Sequence, residues 1–251
     1  MVDHSMMKLG RVRSAPDPRV PSLGEVWAPP NVVPDAVDWY SRLPEDWGLM
    51  GNDQIGDCTA AAIGHAIEQW TAYTDPAPVV MSTPQVVAAY SAFSGYVPSD
   101  PATDQGSTCL TALQYWRTAG VQTPDGGPDT LTAFARLRTV DEVRRAIATF
   151  GNAYAGVALP LSAQTEEVWS ATSDAPGSWG GHCVPLVGYN ATGPVCVTWG
   201  ALKQMTWEWW ATYAEEAYAL LSPDWLRATG TDPAGVDWAR LDADMRAVRA
   251  E

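Results

Sequence analysis

One cysteine and one histidine are the residues best placed to do chemistry together. Cys58 ends the stretch Gly51-Asn52-Asp53-Gln54-Ile55-Gly56-Asp57-Cys58, a loop with two glycines and two side-chain amides. A helical pattern starts there: Ile63, Ala66, Ile67, Trp70 and Tyr73 recur at three- and four-residue spacing, one buried helix face. Asp57 suits the N-cap, which puts Cys58 at the first helical position. Unpaired backbone N–H groups and the helix dipole favour an anion at that point. A thiol there is pushed toward thiolate, the form that attacks carbonyl carbon. The competing reading is a buried structural cysteine, since free cysteine is among the most buried residue types.

A thiol nucleophile needs a base within hydrogen-bond reach, and the chain has three histidines. His4 lies near the start, in a proline-rich stretch. His65 is seven residues beyond Cys58 on the same helix, about 10 Å along the axis, too far to take the thiol proton. It reads as a satisfied helix-face residue. His182 remains, in Trp179-Gly180-Gly181-His182-Cys183-Val184-Pro185-Leu186-Val187-Gly188-Tyr189. Two glycines keep the approach to it open, and the apolar run after it anchors a strand. A lone histidine on an apolar strand is more often structural. Here elimination leaves Cys58–His182 as the one cysteine–histidine pairing.

The elements that must position this pair change character along the chain. Residues 1–36 hold Pro16, Pro18, Pro21, Pro29, Pro30 and Pro34 and read as an extended arm, lying across a surface or reaching toward a protein partner. Helices follow from Cys58, from Ser82 to about Ser94 with Gly95 past its end, and from Ser107 to Gly120 with Leu110, Leu113 and Trp116 on one side. Thr139-Val140-Asp141-Glu142 is a capping box before a helix that Gly151 ends. Ala153 to Leu159, His182 to Tyr189 and Val195 to Trp199 read as strands, with a hairpin turn at Asn190 to Gly193. Thr206 to Leu221 reads as a helix passing into a strand. Residues 226–251 end in an amphipathic helix with Trp238, Leu241 and Met245 at core spacing. A helical first half and a strand-rich second half make an α+β protein of two lobes.

Composition narrows the functional classes. Twenty-nine acidic against fifteen basic residues, net −14, argue against binding nucleic acid through phosphates. No run is long enough to span a membrane, and Met1 to Gly10 lacks the apolar core of a secretory signal. The expected location is therefore cytoplasmic or, for a phage-encoded chain, virion-associated. The four cysteines, 58, 109, 183 and 196, form no CxxC pair, so neither a disulfide framework nor a zinc site is expected, and no cofactor. Thirteen tryptophans are many; Trp207, Trp209 and Trp210 suit a core or an interface.

Asn52 to Ala62 and Gly180 to Tyr189 resemble the two signature blocks of papain-like cysteine peptidases. Their order agrees, the cysteine early and the histidine late, 182 − 58 = 124 residues apart. Val37-Asp38-Trp39 resembles the mature N-terminus of such enzymes, Thr139 to Pro160 their helix-then-strand segment, and Thr198-Trp199-Gly200 the end of their Asn-Ser-Trp-Gly motif. The likeness covers about residues 37–221 and is nearest in look to compact bacterial and phage-encoded members. It implies a papain-like domain over 37–225, with a helical lobe about 50–135, an antiparallel β-rich lobe about 139–225, and a cleft between them for a peptide or amide substrate. It makes Cys58 the nucleophile and His182 the general base. The family's oxyanion-hole glutamine falls at Asn52, with Gln54 as the competing amide. The family's third member, an asparagine that orients the histidine, falls at Val197, which cannot hydrogen-bond imidazole. Strand alternation is expected to turn Thr198 the other way. The resemblance therefore implies a Cys58–His182 dyad in a cysteine hydrolase. The alternative is a weak or inactive scaffold, a structural component of an assembly such as a phage head or tail.

Overall fold

Capping residues set most helix boundaries in this computed structural model, which describes residues 3–27, 32–223, 225 and 236–247. Before helix α5 (Val140–Phe150), the Thr139 hydroxyl accepts from the Glu142 N–H and the Glu142 carboxylate accepts from the Thr139 N–H, satisfying two orphan donors. Gly95, at φ 79°, closes α3 (Thr83–Ser94) in a left-handed cap open to glycine. The remaining helices are α1 (Leu23–Val26), α2 (Cys58–Thr74), α4 (Cys109–Thr118), α6 (Trp207–Tyr213) and α7 (Trp238–Ala247).

Helix α2 is the spine. Its periodicity suggested one buried face, yet every residue from Cys58 to Thr71 is buried. Helix α2 packs on α3 and α4 and also on the sheet, so it has no free side. The alanines at 60, 61, 62 and 66 and Gly64 let those neighbours approach closely.

The main sheet runs β4 (Ala133–Arg136), β9 (Ala214–Leu221), β5 (Ala153–Leu159), β6 (Gly180–Tyr189), β7 (Pro194–Thr198) and β8 (Ala201–Gln204), with β1 (Val37–Asp38) also on β6. Every pairing is antiparallel. The short strands β2 (Val121–Gln122) and β3 (Pro128–Asp129) pair separately. One large core joins helices and sheet, and a smaller cluster holds Trp47, Val187, Val195 and Val197. Several tryptophans fill this interior: Trp209 and Trp210 are buried, and Trp209 stacks on Trp169 at 4.8 Å.

The stretch ahead of β1 lies against the body of the molecule. Val20, Leu23, Val26 and Trp27 are buried in the main core. Helix α1 meets α7, where Leu241 and Met245 are also buried; the Trp238 side chain and residues 226–235 and 248–251 lie outside the described residues. Among the described residues no helix is long and apolar enough to cross a membrane.

Candidate active site

Cys58 is the first residue of α2, and Asp57 is its N-cap. Asp57 does not cap with its side chain. Both carboxyl oxygens are buried without a hydrogen-bond partner, and burial pushes the pKa up to about 8. The Asn52 amide beside it acts in the opposite direction without offsetting the burial. The loop therefore delivers a neutral acid next to the thiol where a capping anion was expected.

His182 comes from the other lobe, as the third residue of β6 opposite Val157 on β5. Its Nε2 is 2.8 Å from Thr198 Oγ1, and its Nδ1 is buried without a partner. With Nε2–H donating to the hydroxyl, Nδ1 keeps a lone pair free to take a proton. This corrects the expectation for Thr198. Alternation along β7 does hold, but it is Val197 that packs with Trp47, Val187 and Val195, at the border of the same cavity. Thr198 takes the histidine side. Trp199 and Gly200, at φ 47° and 76°, make the two-residue turn into β8. A tryptophan in a left-handed conformation is strained. The Trp199 ring is held by stacking on His182 at 4.6 Å and 19°, and by contact with Trp179 and Trp169.

Cys58 and His182 line one narrow cavity of about 10 Å³, together with Asn52, His65 and Trp199. The two amide candidates differ in placement. Asn52 is buried on the cavity wall, its Nδ2 donating to Ile55 O at 3.2 Å. Gln54 is exposed and turned toward Asp53 at 3.4 Å, away from the cavity, so the structure does not bring it to Cys58. His65 reaches the cavity wall but is bonded to the backbone of Gly48 at 2.9 Å and of Trp47, and burial lowers its pKa to about 4. Asn190 stays in its turn, donating to Gln204.

The least expected feature is the arm, which runs through the cleft over the cysteine. Lys8 N–H donates to Asn52 O at 3.2 Å, and Trp199 Nε1–H donates to Lys8 O at 3.4 Å. Arg11 N–H donates to Gly181 O at 3.1 Å on one wall. On the other, Ser107 N–H donates to Gly10 O at 2.8 Å and Val12 N–H to Ser107 O at 2.9 Å, a parallel bridge. The N–H groups of Gly10 and Cys183 both point at the Cys58 sulfur. His4 stacks on Trp199 at 4.9 Å. Glycines allow this approach: a Cβ at Gly181 would lie 2.2 Å from Arg11 O, and one at Gly10 would lie 1.7 Å from Gly56 O.

Covering the cleft sets the electrostatics. Burial pushes the Cys58 thiol up to about 12 and His182 down to about 3, so both are neutral between those values. The thiolate expected at a helix start does not form in this state, because the loss of water outweighs the helix terminus. All four cysteines are buried and free; Cys109 and Cys183 lie 3.8 Å apart at sulfur behind the site.

The architecture has known counterparts. The chain is similar to xylellain, a cysteine protease from Xylella fastidiosa, at 16% identity and TM-score 0.66 over 88% of this chain and 98% of that one. It is similar to proCathepsin B S9 from Trypanosoma congolense at 11% identity and TM-score 0.63, covering 88% of each chain. It also resembles digestive procathepsin L 3 of Tenebrio molitor larval midgut, at 13% identity and TM-score 0.59 over 87% of this chain and 77% of that one. The fold is papain-like. No family model and no curated protein matches the chain. At these identities the likeness is one of shape, helices packed with an antiparallel sheet, as the sequence blocks around Cys58 and His182 implied.

Proposed function

We propose that this chain is a cysteine peptidase or amidase whose own arm lies in its substrate cleft. The observation that carries the reading is the convergence of Cys58, from the start of α2, and His182, from β6, on one cavity, with Thr198 bonded to the imidazole's other nitrogen. In the reaction, His182 Nδ1 takes the Cys58 thiol proton and the sulfur attacks the amide carbonyl carbon. The developing oxyanion is held by the Cys58 backbone N–H and the Asn52 side chain, once that amide leaves Ile55 O. The C–N bond then breaks as His182 gives its proton to the amine, and water hydrolyses the thioester. Thr198 is a positioning residue, fixing ring orientation and tautomer as a third member does.

The arm must withdraw first. It presents the Gly10 N–H to the Cys58 sulfur and fills the space that a substrate backbone would take.

A scaffold role, with the chain as a structural component of an assembly such as a phage particle, has Val197 in its favour, at the position of the family's asparagine. Thr198 on His182 weakens that argument. The test uses the full chain carrying Gly10→Val, which drives the arm against Gly56 O. Cleavage of unfolded protein substrates that Cys58→Ser abolishes supports the peptidase. An accessible Cys58 with no cleavage of any amide supports the scaffold.

A further inference from the structure

Beside the cleft, the arm's Arg11 side chain enters an acidic pocket, 2% exposed. Its Nε and Nη2 donate to Glu216 Oε1 at 2.9 and 2.6 Å, and its Nη1 donates to Glu215 Oε2. Adjacent strand residues normally point to opposite faces. Here the register of β9 against β5 slips between Gly156 and Val157: Gly156 pairs with Glu216 and Val157 with Ala214, leaving Glu215 as the extra residue of a bulge. The bulge lets two consecutive carboxylates reach one guanidinium. Tyr218 fixes the second, its hydroxyl donating to Glu216 Oε2 at 2.7 Å. The floor is kept low by Gly156, where a Cβ would lie 2.5 Å from Arg11 Nε. A cavity of about 320 Å³ adjoins the pair, with Arg13 and Arg136 also on its wall.

Resting on the peptidase reading, we propose that this pocket is a specificity site for an arginine or lysine side chain of the substrate, which the arm fills with its own Arg11. The pocket is tied to the cleft through the arm: the Gly10 N–H, next to Arg11 in sequence, is directed at the Cys58 sulfur, and Arg11 N–H donates to Gly181 O beside His182, so the pocket's occupant sits one residue from the group facing the nucleophile. When the arm leaves, Arg11 and Arg13 leave with it. Two carboxylates then face one remaining guanidinium, Arg136, and the pocket carries net negative charge. A peptide with a basic residue restores the charge-assisted bonds that Arg11 made. An apolar side chain leaves the two carboxylates with Arg136 alone and does not replace the bonds that Arg11 made.

The experiment pairs cleavage with binding, both on full-length protein carrying Gly10→Val. A peptide library varied at each position near the scissile bond gives the ratio of kcat/KM for Arg over Leu. At one fixed position that ratio exceeds one by about 10- to 100-fold and falls by a similar factor in Glu215→Gln/Glu216→Gln. Separately, Cys58→Ser protein binds a labelled peptide of residues 8–14 at least about 10-fold more tightly than the same peptide with Arg11→Ala, and the double Gln variant removes the difference. Cleavage with no basic preference at any position overturns the specificity site and leaves the peptidase standing. Absence of cleavage with Glu-dependent binding of the arginine peptide overturns the peptidase reading and the substrate claim with it, and leaves only a docking pocket for the arm. Equal binding of both peptides overturns the pocket itself.

Discussion

Gly10→Val isolates the arm's effect on the thiol without touching a residue that would react. The added Cβ would lie 1.7 Å from Gly56 O, backbone that cannot yield as a flexible side chain would, so residues 8–12 must lift from the cleft. Lifting them returns water to Cys58. The thiol stands at about 12 in the covered cleft against an ordinary value of 9.0, a difference worth about 4 kcal/mol against the thiolate. At pH 7 that corresponds to roughly a thousandfold less thiolate than an ordinary cysteine, and the start of α2 lowers the exposed thiol further. Iodoacetamide labelling from pH 5 to 10, mapped by mass spectrometry, measures this directly. In the unaltered chain Cys58 is as unreactive at pH 7 as Cys109 and Cys196, which are buried. In Gly10→Val its rate rises by about 10³ or more while those two stay slow. Rapid labelling of Cys58 in the unaltered chain would refute the reasoning. So would an unchanged rate in Gly10→Val when limited proteolysis shows the arm released.

Further outcomes follow from the same geometry. In the Gly10→Val background, Thr198→Val lowers kcat by about 10- to 100-fold with little change in KM, and Thr198→Ser recovers most of the loss, since only the hydroxyl on His182 matters. Stability depends on pH through buried groups of opposite sign, the lowered His182 and His65 against the raised Asp57 and Glu68. His182, lowered from 6.5 to about 3, contributes stability present above pH 6.5 and lost as pH falls toward 3; Asp57, raised from 3.8 to about 8, contributes stability present below 3.8 and lost as pH rises toward 8. Between about pH 4.5 and 6.5 these slopes largely cancel, and from 6.5 to 8 denaturant titrations record a decline of which Asp57→Asn removes up to about 2 kcal/mol, Glu68 carrying the rest. Finally, deleting residues 1–14 leaves a folded protein, whereas deleting 1–36 strips Val20, Leu23, Val26 and Trp27 from the core and lowers the Tm sharply, because buried side chains of that size each contribute about 2–5 kcal/mol.

What the sequence showed well was local. The Thr139–Glu142 capping box, Gly95 beyond α3 and the Asn190–Gly193 turn carry their geometry in four or five residues, and each forms as their chemistry dictates. The Cys58 and His182 blocks pointed to a shared fold because each pairs a reactive side chain with the glycines and apolar run that seat it. Long-range relations were hidden. Thr198 was legible in principle: counting alternation back from a Trp199-Gly200 turn puts it opposite Val197, but which face meets His182 depends on how β7 crosses β6. The bulge at Glu215 gives no local signal, since neither neighbour is a glycine or proline. The arm's course was the hardest to read. Its prolines suggest an extended segment, while its destination is fixed by close approaches at Gly10, Gly106 and Gly181, three positions far apart in sequence.

The central claim is that Cys58 is a nucleophile for amide carbonyls once the arm is out of the way. Intact-mass analysis of full-length Gly10→Val protein incubated with a slowly turned-over peptide ester tests it most directly. The account predicts an acyl adduct of one peptide mass, mapping to Cys58, absent in Cys58→Ser and formed far more slowly in His182→Ala. An accessible Cys58 that gains no adduct, or gains it equally without His182, would contradict it.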